Sequence, residues 1–557
     1  MMKAILTDFL KTAYPDDLEF LDKEIKILLR KYQKLIKPES PVLSHKDSIL
    51  ITYADAVYEE GEMPLTTLKH FFDTFLKGYV SAIHLLPCFP FTSDDGFSVV
   101  DYYQINPEYG DWDAITTLHK SADIMFDAVV NHTSKSSEWF KKFQENIHPY
   151  NDYFIEADPQ EDFSKVVRPR ALPLLHSYKK QGQEVFLWTT FSEDQLDLNF
   201  KNPYVFLQVL DILLFYISKG GRYIRLDAIA FLWKANNTSC IHLPETHNII
   251  KAYRYIIESI APHAVIVTET NVPHSENISY FGNGEDEAHM VYNFTLPPLL
   301  AYSVHKQDIR VFVKWAQALE FDNKPTCFFN FTASHDGIGV RPLQGIIPDE
   351  EIAFLAQKSK DHGGFVSFKT NEDGTKSPYE LNCNYFELLS HPSESEDRRI
   401  KKFMLTQAIM LTMPGVPGIY YHSILGSLNF IEGVKSSGIN RRINREKLEY
   451  KKLMSALEDK GSLRFKVYQS YIELLAIRKE QPVFNPYGKA TFSIVDEVLQ
   501  ISREYEGEKL VALFNVKQTP INVNIDCKIA YDLLTGKELN EAKITINPWG
   551  YKWIKCN

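Results

Sequence analysis

The 557-residue sequence predicts an α/β protein: a closed (β/α)8 TIM barrel with long insertions after strands 3 and 7 and a small C-terminal antiparallel β domain. Two observations carry this. Eight short apolar runs alternate with helical segments between residues 48 and 421, which fits a closed parallel barrel better than a sandwich. Four pieces also bring an acidic residue or a histidine to a strand end: Asp127-Ala-Val-Val-Asn-His132, Arg225-Leu-Asp227, Thr268-Glu269 and Ser334-His-Asp336. A barrel enzyme needs such placement to gather acid, base and nucleophile at one mouth.

Residues 1–47 are rich in Lys, Leu and Glu, with Leu18, Phe20, Leu21, Ile25, Leu28 and Leu29 at helical spacing, so a helical extension is expected to cap the main domain. The first part of the barrel, 48–132, opens with Ser48-Ile-Leu-Ile-Thr-Tyr53, an apolar run of buried-strand type. Helical material over 66–75, a strand at 80–86 stopped by Pro87, and a strand at 124–130 follow. An insertion, 133–202, carries Pro, Asp and aromatic residues in irregular order. The barrel continues over 203–336, with helices at 203–218, 247–260 and 308–319 and strands at 223–227, 264–269, 290–294 and 326–331. A second insertion, 337–398, holds the Gly/Lys/Asp-rich stretch Lys360 to Ser377; the end of the barrel, 399–487, supplies a helix at 399–412 and a strand at 416–421. Long insertions at strand C-terminal ends are where a barrel builds its binding mouth. Over 488–557 the pattern becomes strand-like alternation: Ala490 to Ile494, Val498 to Ile501, Leu510 to Phe514, Ile521 to Ile525 and Ile544 to Ile546.

Composition excludes several classes. Hydrophobic residues make up 44% and charged residues 24%, unlike a disordered chain or a membrane protein. A net charge of -11 argues against an extended nucleic-acid surface while leaving room for a local basic pocket. The start, Met1 to Lys11, reads as a helix start and not as a signal peptide, and no stretch has the ~18–20 apolar residues needed to span a bilayer. The six cysteines, Cys88, Cys240, Cys327, Cys383, Cys527 and Cys556, show no close CxxC spacing and are expected to be reduced thiols. These features point to the cytoplasm.

Arg225 and Asp227 stand at i and i+2 on one strand face, where the arginine would orient the carboxylate and keep it ionised, as a nucleophile requires. Alone, an Arg-x-Asp at a strand end is more often a structural ion pair. Glu269 closes the apolar run Val265-Ile-Val-Thr268, where burial could raise its pKa and equip it as a general acid. Each piece is ambiguous by itself; their joint placement on strands 3, 4, 5 and 7 is what favours chemistry.

The pattern resembles the α-amylase superfamily of retaining α-glucoside enzymes (glycoside hydrolase family 13), and within it the sucrose phosphorylase-like subfamily. The stretches that carry the resemblance are Leu50-Ile-Thr-Tyr-Ala-Asp55, Asp94-Asp-Gly-Phe97 followed by Asp101, Arg168-Pro-Arg-Ala-Leu-Pro173, Phe294-Thr-Leu-Pro-Pro298, His335-Asp-Gly-Ile-Gly339 and Ile443-Asn-Arg445. The resemblance implies that Asp227 is the nucleophile, Glu269 the general acid/base and Asp336 a transition-state carboxylate. It further implies that His132, His335 and Arg225 hold a glucosyl ring, that Asp94 and Arg445 grip its far hydroxyls, and that Phe97 lies beneath it. Many amylases bind calcium near the counterpart of Asn131; relatives of sucrose phosphorylase generally do without it, and no dense cluster of oxygen ligands compels a metal site. No cofactor is implied.

Phosphate capture of a glucosyl-enzyme needs a cationic place beside the anomeric carbon. Arg168-Pro-Arg170 offers one, although such a loop is equally a surface ion-pair element; the resemblance favours Arg170 for phosphate, with Tyr379 on the acceptor-side loop and Gln195 lining the acceptor site. The N-terminal extension, Ser93-Asp-Asp-Gly-Phe97, Thr268 to Asn277 and Tyr280 to Met290 look like the glucosylglycerate phosphorylase branch. Arg341 would then pair with a glycerate carboxylate, or else brace its loop against Asp349. The implied partners are inorganic phosphate and a small glucoside; branches acting on glucosylglycerol, sucrose or sucrose 6-phosphate, and an α-glucoside hydrolase, are the alternatives. A sugar-binding module and the non-catalytic glucosidase-like subunits of amino-acid transporters are the rivals from other classes. The latter would carry a membrane anchor and lack carboxylates that are present here. Members of the subfamily are often dimeric, which makes a homodimer one expected state.

Overall fold

A computed structural model of the chain describes residues 4–39, 43–169, 172–319, 325–370, 375–525, 530–539 and 543–556. Eight parallel strands close into a barrel in sequence order: β1 (Ile49–Thr52), β2 (Ala82–Leu85), β3 (Asp123–Ala128), β4 (Gly221–Leu226), β5 (Val265–Thr268), β6 (Met290–Tyr292), β7 (Cys327–Phe331) and β8 (Val416–Tyr420). Their residues are almost entirely buried, which is why the sequence shows continuous apolar runs and not alternation. Closure comes from β1 pairing with β8, Ile49 opposite Gly418.

The strands end slightly earlier than the apolar runs. β3 stops at Ala128, so Asp127 lies inside the barrel and only Asn131 and His132 reach beyond the strand end. The helices expected around Thr66, Tyr204, Ile249, Val311 and Lys402 form as Pro64–Phe75, Pro203–Ser218, Pro244–Glu258, Arg310–Gln317 and Glu396–Thr412. Leu296–Lys306 is a further helix, hidden because Pro297-Pro298 reads as a break; both prolines sit in its first turn, where their missing N–H groups have no intrahelical acceptor to lose.

At the N-terminal side, helices Ala4–Ala13 and Leu18–Tyr32 pack on Pro244–Glu258 and Pro203–Ser218. Leu10, Leu21 and Ile25 are buried, and the Tyr14 hydroxyl donates to the Phe200 carbonyl at 2.7 Å. Asp211, which interrupts an apolar helix, accepts from Lys31 (2.7 Å), Tyr32 (2.9 Å) and Tyr103 (2.5 Å), so the extension is fastened to the barrel at that one carboxylate.

In the first insertion, His132–Ser134 pairs with Gln195–Asp197, and Leu175–Lys180 forms a hairpin with Gln183–Trp188. The second insertion holds helix Asp349–Asp361 and a three-stranded sheet, Ile338–Gly339, Lys376–Asn382 and Phe365–Thr370. The stretch from Lys360 to Ser377, Gly- and Lys-rich by composition, therefore contributes strand, because its ladder pairs hold it to Lys376–Asn382. The C-terminal sheet runs Lys489–Val495, Val498–Tyr505, Glu508–Phe514, Tyr551–Cys556, Ala530–Asp532 and Lys537–Leu539, with Ile521–Asn524 and Lys543–Ile546 as a separate pair. Trp553 in the strand Tyr551–Cys556 is buried and its indole donates to Thr412 Oγ1 at 2.9 Å, joining sheet to barrel.

Cys88, Cys240, Cys327 and Cys383 are free and buried. The expectation of six reduced thiols fails at Cys556, which is disulfide-bonded; Cys527 lies outside the described residues. Among the described residues no helix is long and apolar enough to cross a membrane.

Candidate active site

The register of β3 against β4 sets Asp127 level with Arg225, and Asp227 follows β4 by one residue with its N–H still donating to Ala128 at 3.1 Å. Arg225 Nη1 consequently sits 2.7 Å from Asp127 Oδ1 and 2.6 Å from Asp227 Oδ1, while Nη2 is 3.7 Å from Glu269 Oε2. Glu269 is placed in the same way, its N–H donating to Leu226 at 3.2 Å, and its Oε2 accepts from the Ala228 N–H at 3.1 Å. Behind them His84 of β2 is 3.0 Å from Asp127 Oδ2 in a fully buried contact.

Burial raises the pKa of Asp227, Arg225 opposes it, and the Glu269 charge adds to the rise. Glu269 is likewise raised by burial, opposed by Arg225 and assisted by Asp336. Arg225 therefore does not by itself depress Asp227 as the i, i+2 spacing predicts; two desolvated acids outweigh one guanidinium. The guanidinium stands closer to Asp227, and the pKa values of both carboxyls are raised. For Asp127, burial pushes upward, but Arg225 and His84 overcome it and hold the carboxyl below its ordinary value.

Asp336 lies beyond β7, and Asn444 fixes its turn by donating to the carbonyls of Ser334 (3.0 Å) and Asp336 (2.9 Å). Its Oδ1 forms an ion pair with Arg441 Nη1 at 2.6 Å and is 3.7 Å from Arg445 Nη2. Burial would raise its pKa, but Arg441 and Arg445 hold it well below the usual carboxylate range. Burial pushes His335 down to about 3, so this imidazole is neutral. Asp336 Oδ1, held by the Arg441 ion pair, and His335 Nδ1 are shut off from solvent without an aligned hydrogen bond among the described residues.

Asp94 and Asp95 both adopt left-handed backbone, φ 53° and 52°, and Gly96 follows at 109°. A Cβ at Gly96 would stand 2.5 Å from the Pro87 carbonyl, so only glycine fits. Arg445 was expected to work with Asp94; the structure pairs it with Asp95 at 2.7 Å, where Arg442 joins at 2.6 Å, and sets it 4.0 Å from Asp94. Asp95 thus anchors the loop, while Asp94 lines the cleft. His132 and Gln195 contact the Phe97 carbonyl at 3.0 and 3.1 Å, and the Phe97 ring stacks on His335 at 4.7 Å. Gln195, expected on the acceptor side, lines the cleft beside His132 and Asp94, its Nε2 3.2 Å from His132 Nε2 and 3.5 Å from Asp94 Oδ2.

One cleft with about 750 Å³ of open space is lined by Asp94, Phe97, His132, Gln195, Asp227, Glu269, His335, Asp336, Arg341 and Tyr379. Arg225 and Arg445 stand behind this lining. Arg341 forms no ion pair among the described residues, so the bracing contact to Asp349 is not made. Arg168 is exposed, Pro169 lines the cleft, and Arg170 lies outside the described residues. Sequence reasoning missed Arg441 and Asn271, which also line the cleft; the doubled Ile-Asn-Arg of residues 439–445 was the available signal for Arg441.

Around Asn131 the donors do not suit a calcium ion. The Lys234 ammonium stands 3.0 Å from Asn131 Oδ1 and 2.5 Å from Asp197 Oδ2 and donates to the Phe231 carbonyl, so a cation from the chain already occupies the position. Asp197 also accepts from the Thr190 N–H at 2.7 Å and from Asn131 Nδ2 at 3.1 Å; its contacts with Asn131 and Lys234 fasten the first insertion to the barrel.

Residues 75–338 match the α-amylase catalytic domain family. Over 559 aligned residues the chain is 44% identical to the glucosylglycerate phosphorylase of Escherichia coli (strain K12), covering 100% of each protein. The chain belongs to the α-amylase superfamily. Within this superfamily it falls in the sucrose phosphorylase-like subfamily, being also 48% identical over 446 residues to the glucosylglycerate phosphorylase of Spirochaeta thermophila, with 80% of this chain and 76% of that one covered. The superfamily barrel is shared with the sucrose 6F-phosphate phosphorylase from Thermoanaerobacter thermosaccharolyticum, at a TM-score of 0.76, 23% identity, and coverage of 90% and 98% of the two chains.

Proposed function

We propose that this protein is a retaining glucoside phosphorylase that converts 2-O-α-D-glucosyl-D-glycerate and phosphate into α-D-glucose 1-phosphate and D-glycerate by double displacement. The observation that carries this is full-length 44% identity to a glucosylglycerate phosphorylase. The shared guanidinium between Asp227 and Glu269 supports the roles that the family resemblance assigns.

In the first step Asp227 attacks the anomeric carbon and the glycosidic C–O bond breaks, while Glu269 gives its proton to the departing glycerate oxygen. The anionic Asp336 stabilises the oxocarbenium-like charge that develops in the transition state of each displacement. Phosphate then enters, Glu269 takes its proton, and the phosphate oxygen displaces Asp227, so two inversions leave the product α. Asp94, Phe97, His132, Arg225, His335 and Arg445 hold or support the glucosyl ring, and Gln195 lines the acceptor site. Arg341 takes the glycerate carboxylate, and Arg170 with Tyr379 receives phosphate. The enzyme works in the cytoplasm, and a homodimer is the expected assembly.

The deciding experiment runs the reaction in reverse. α-Glucose 1-phosphate is supplied with D-glycerate, L-glycerate, glycerol, fructose or fructose 6-phosphate, and phosphate release is followed against a control without acceptor. D-Glycerate should be used best. Preference for a neutral sugar or polyol would reassign the substrate, and equal release without acceptor would reassign the enzyme as a hydrolase.

A further inference from the structure

The strand Lys376–Asn382 presents two consecutive residues to different partners, as the alternation of a strand requires. Tyr379 lines the cleft, whereas Glu380 is buried against Arg441. Glu380 Oε2 accepts from Arg441 Nε at 3.2 Å and Oε1 lies 3.0 Å from Nη2, a two-point grip. The third nitrogen of the same guanidinium, Nη1, is the one 2.6 Å from Asp336 Oδ1. The remaining capacity of Glu380 is filled by the Gly337 N–H at 2.9 Å and Asn382 Nδ2 at 3.0 Å. Gly337 adjoins Asp336 and has no room for a side chain, since a Cβ there would stand 2.5 Å from Glu380 Cγ.

We propose that Glu380 is a positioning residue: by forking Arg441 it sets how closely that cation approaches Asp336, and it ties this approach to the strand that carries Tyr379. An ungripped Arg441 would turn both its terminal nitrogens to Asp336 and neutralise the charge that the oxocarbenium-like state needs. With the grip, the cation is divided between two carboxylates, and Nη1 is the nitrogen that pairs with Asp336, at Oδ1. The same strand accepts the Val340 N–H at the Tyr379 carbonyl (3.1 Å), one residue before Arg341, so the acceptor side and Asp336 share one rigid element. This inference rests on Asp336 acting as the transition-state carboxylate.

The test is a double-mutant cycle of Glu380→Gln and Arg441→Met, read as kcat and KM for an aryl α-glucoside with phosphate and as Tm. Glu380→Gln alone should lower kcat by roughly tenfold or more with KM little changed, Glu380→Asp should recover part of it, and Glu380→Gln should add no further loss in the Arg441→Met background. Independent, multiplying losses, or a loss that tracks Tm across the variants, would reduce Glu380 to a structural brace. If Arg441→Met does not fold, Arg441→Lys, which keeps a cation without a fork, completes the cycle with the same expectation. Asp336→Asn is measured in parallel. Full activity there would overturn the role of Asp336 itself, whereas an inactive Asp336→Asn with an additive cycle would overturn only that of Glu380.

Discussion

Arg225 stands 2.6 Å from Asp227 and 3.7 Å from Glu269, so one guanidinium touches both acids unequally. That inequality gives two chemically similar carboxyls different surroundings. It also rests on Asp127, which anchors Arg225 from the opposite side at 2.7 Å and is in turn held by His84.

Asp227→Ala should abolish glucosyl transfer, because no neighbouring group can supply a carboxylate nucleophile at that position. Circular dichroism would establish that the variant is folded, and phosphate release from α-glucose 1-phosphate with D-glycerate would report activity. Appreciable turnover by the folded variant, or β-glucose 1-phosphate as the wild-type product, would remove the retaining mechanism.

Glu269→Gln should reduce turnover with a glycerate leaving group by about 10²- to 10⁴-fold, and much less with an activated aryl glucoside. It should also change stability in a pH-dependent way. The folded pKa of Glu269 is raised above its ordinary 4.5 by burial, so above pH 4.5 the unfolded chain loses this proton before the folded one does. The wild type therefore loses stability as pH rises through that window, and Gln does not. Thermal unfolding should show the stability of the variant rising relative to wild type from pH 4.5 upward; a variant that falls relative to wild type as pH rises would contradict the raised pKa.

Arg341→Met should impair glycerate use about ten- to a hundredfold while sparing glycerol, as expected for one charge-assisted contact of about 1.5–3 kcal/mol. Acceptor kinetics for the two compounds decide this. If glycerate stays preferred in the variant, another cation holds its carboxylate.

Lys234→Met should destabilise the protein by about 3–5 kcal/mol, because it strands the buried Asp197 without its counter-charge. Urea unfolding measures the loss. A stability equal to wild type would show that Lys234 is replaceable by solvent or by ions.

The eight barrel strands were legible because burial on both faces leaves short, uninterrupted apolar runs, and the carboxylates were legible because they end them. Arg441 was not, since its meaning depends on Glu380 and Asp336, which are close only after the second insertion folds back. The pairing of Arg445 with Asp95 was equally hidden: two adjacent aspartates look alike until the left-handed backbone turns them apart. The strand Tyr551–Cys556 escaped notice because its lysines point outward beside a single buried Trp-Ile pair, too short a pattern to read. Lys234 gave no signal because a lysine among apolar residues resembles a surface residue until Asp197 is seen beside it.

Closure of the barrel through Ile49 and Gly418 has a kinetic consequence. During synthesis β1 emerges first and keeps an unpaired edge until β8, the last of the barrel strands, has been made. Joining partners so distant along the chain is slow, and an apolar open edge invites association with other chains meanwhile. Both insertions must also leave the ribosome before the ring can shut. The newborn polypeptide should therefore depend on chaperone protection late in translation, and its aggregation should fall when the edge of β1 is made less adhesive.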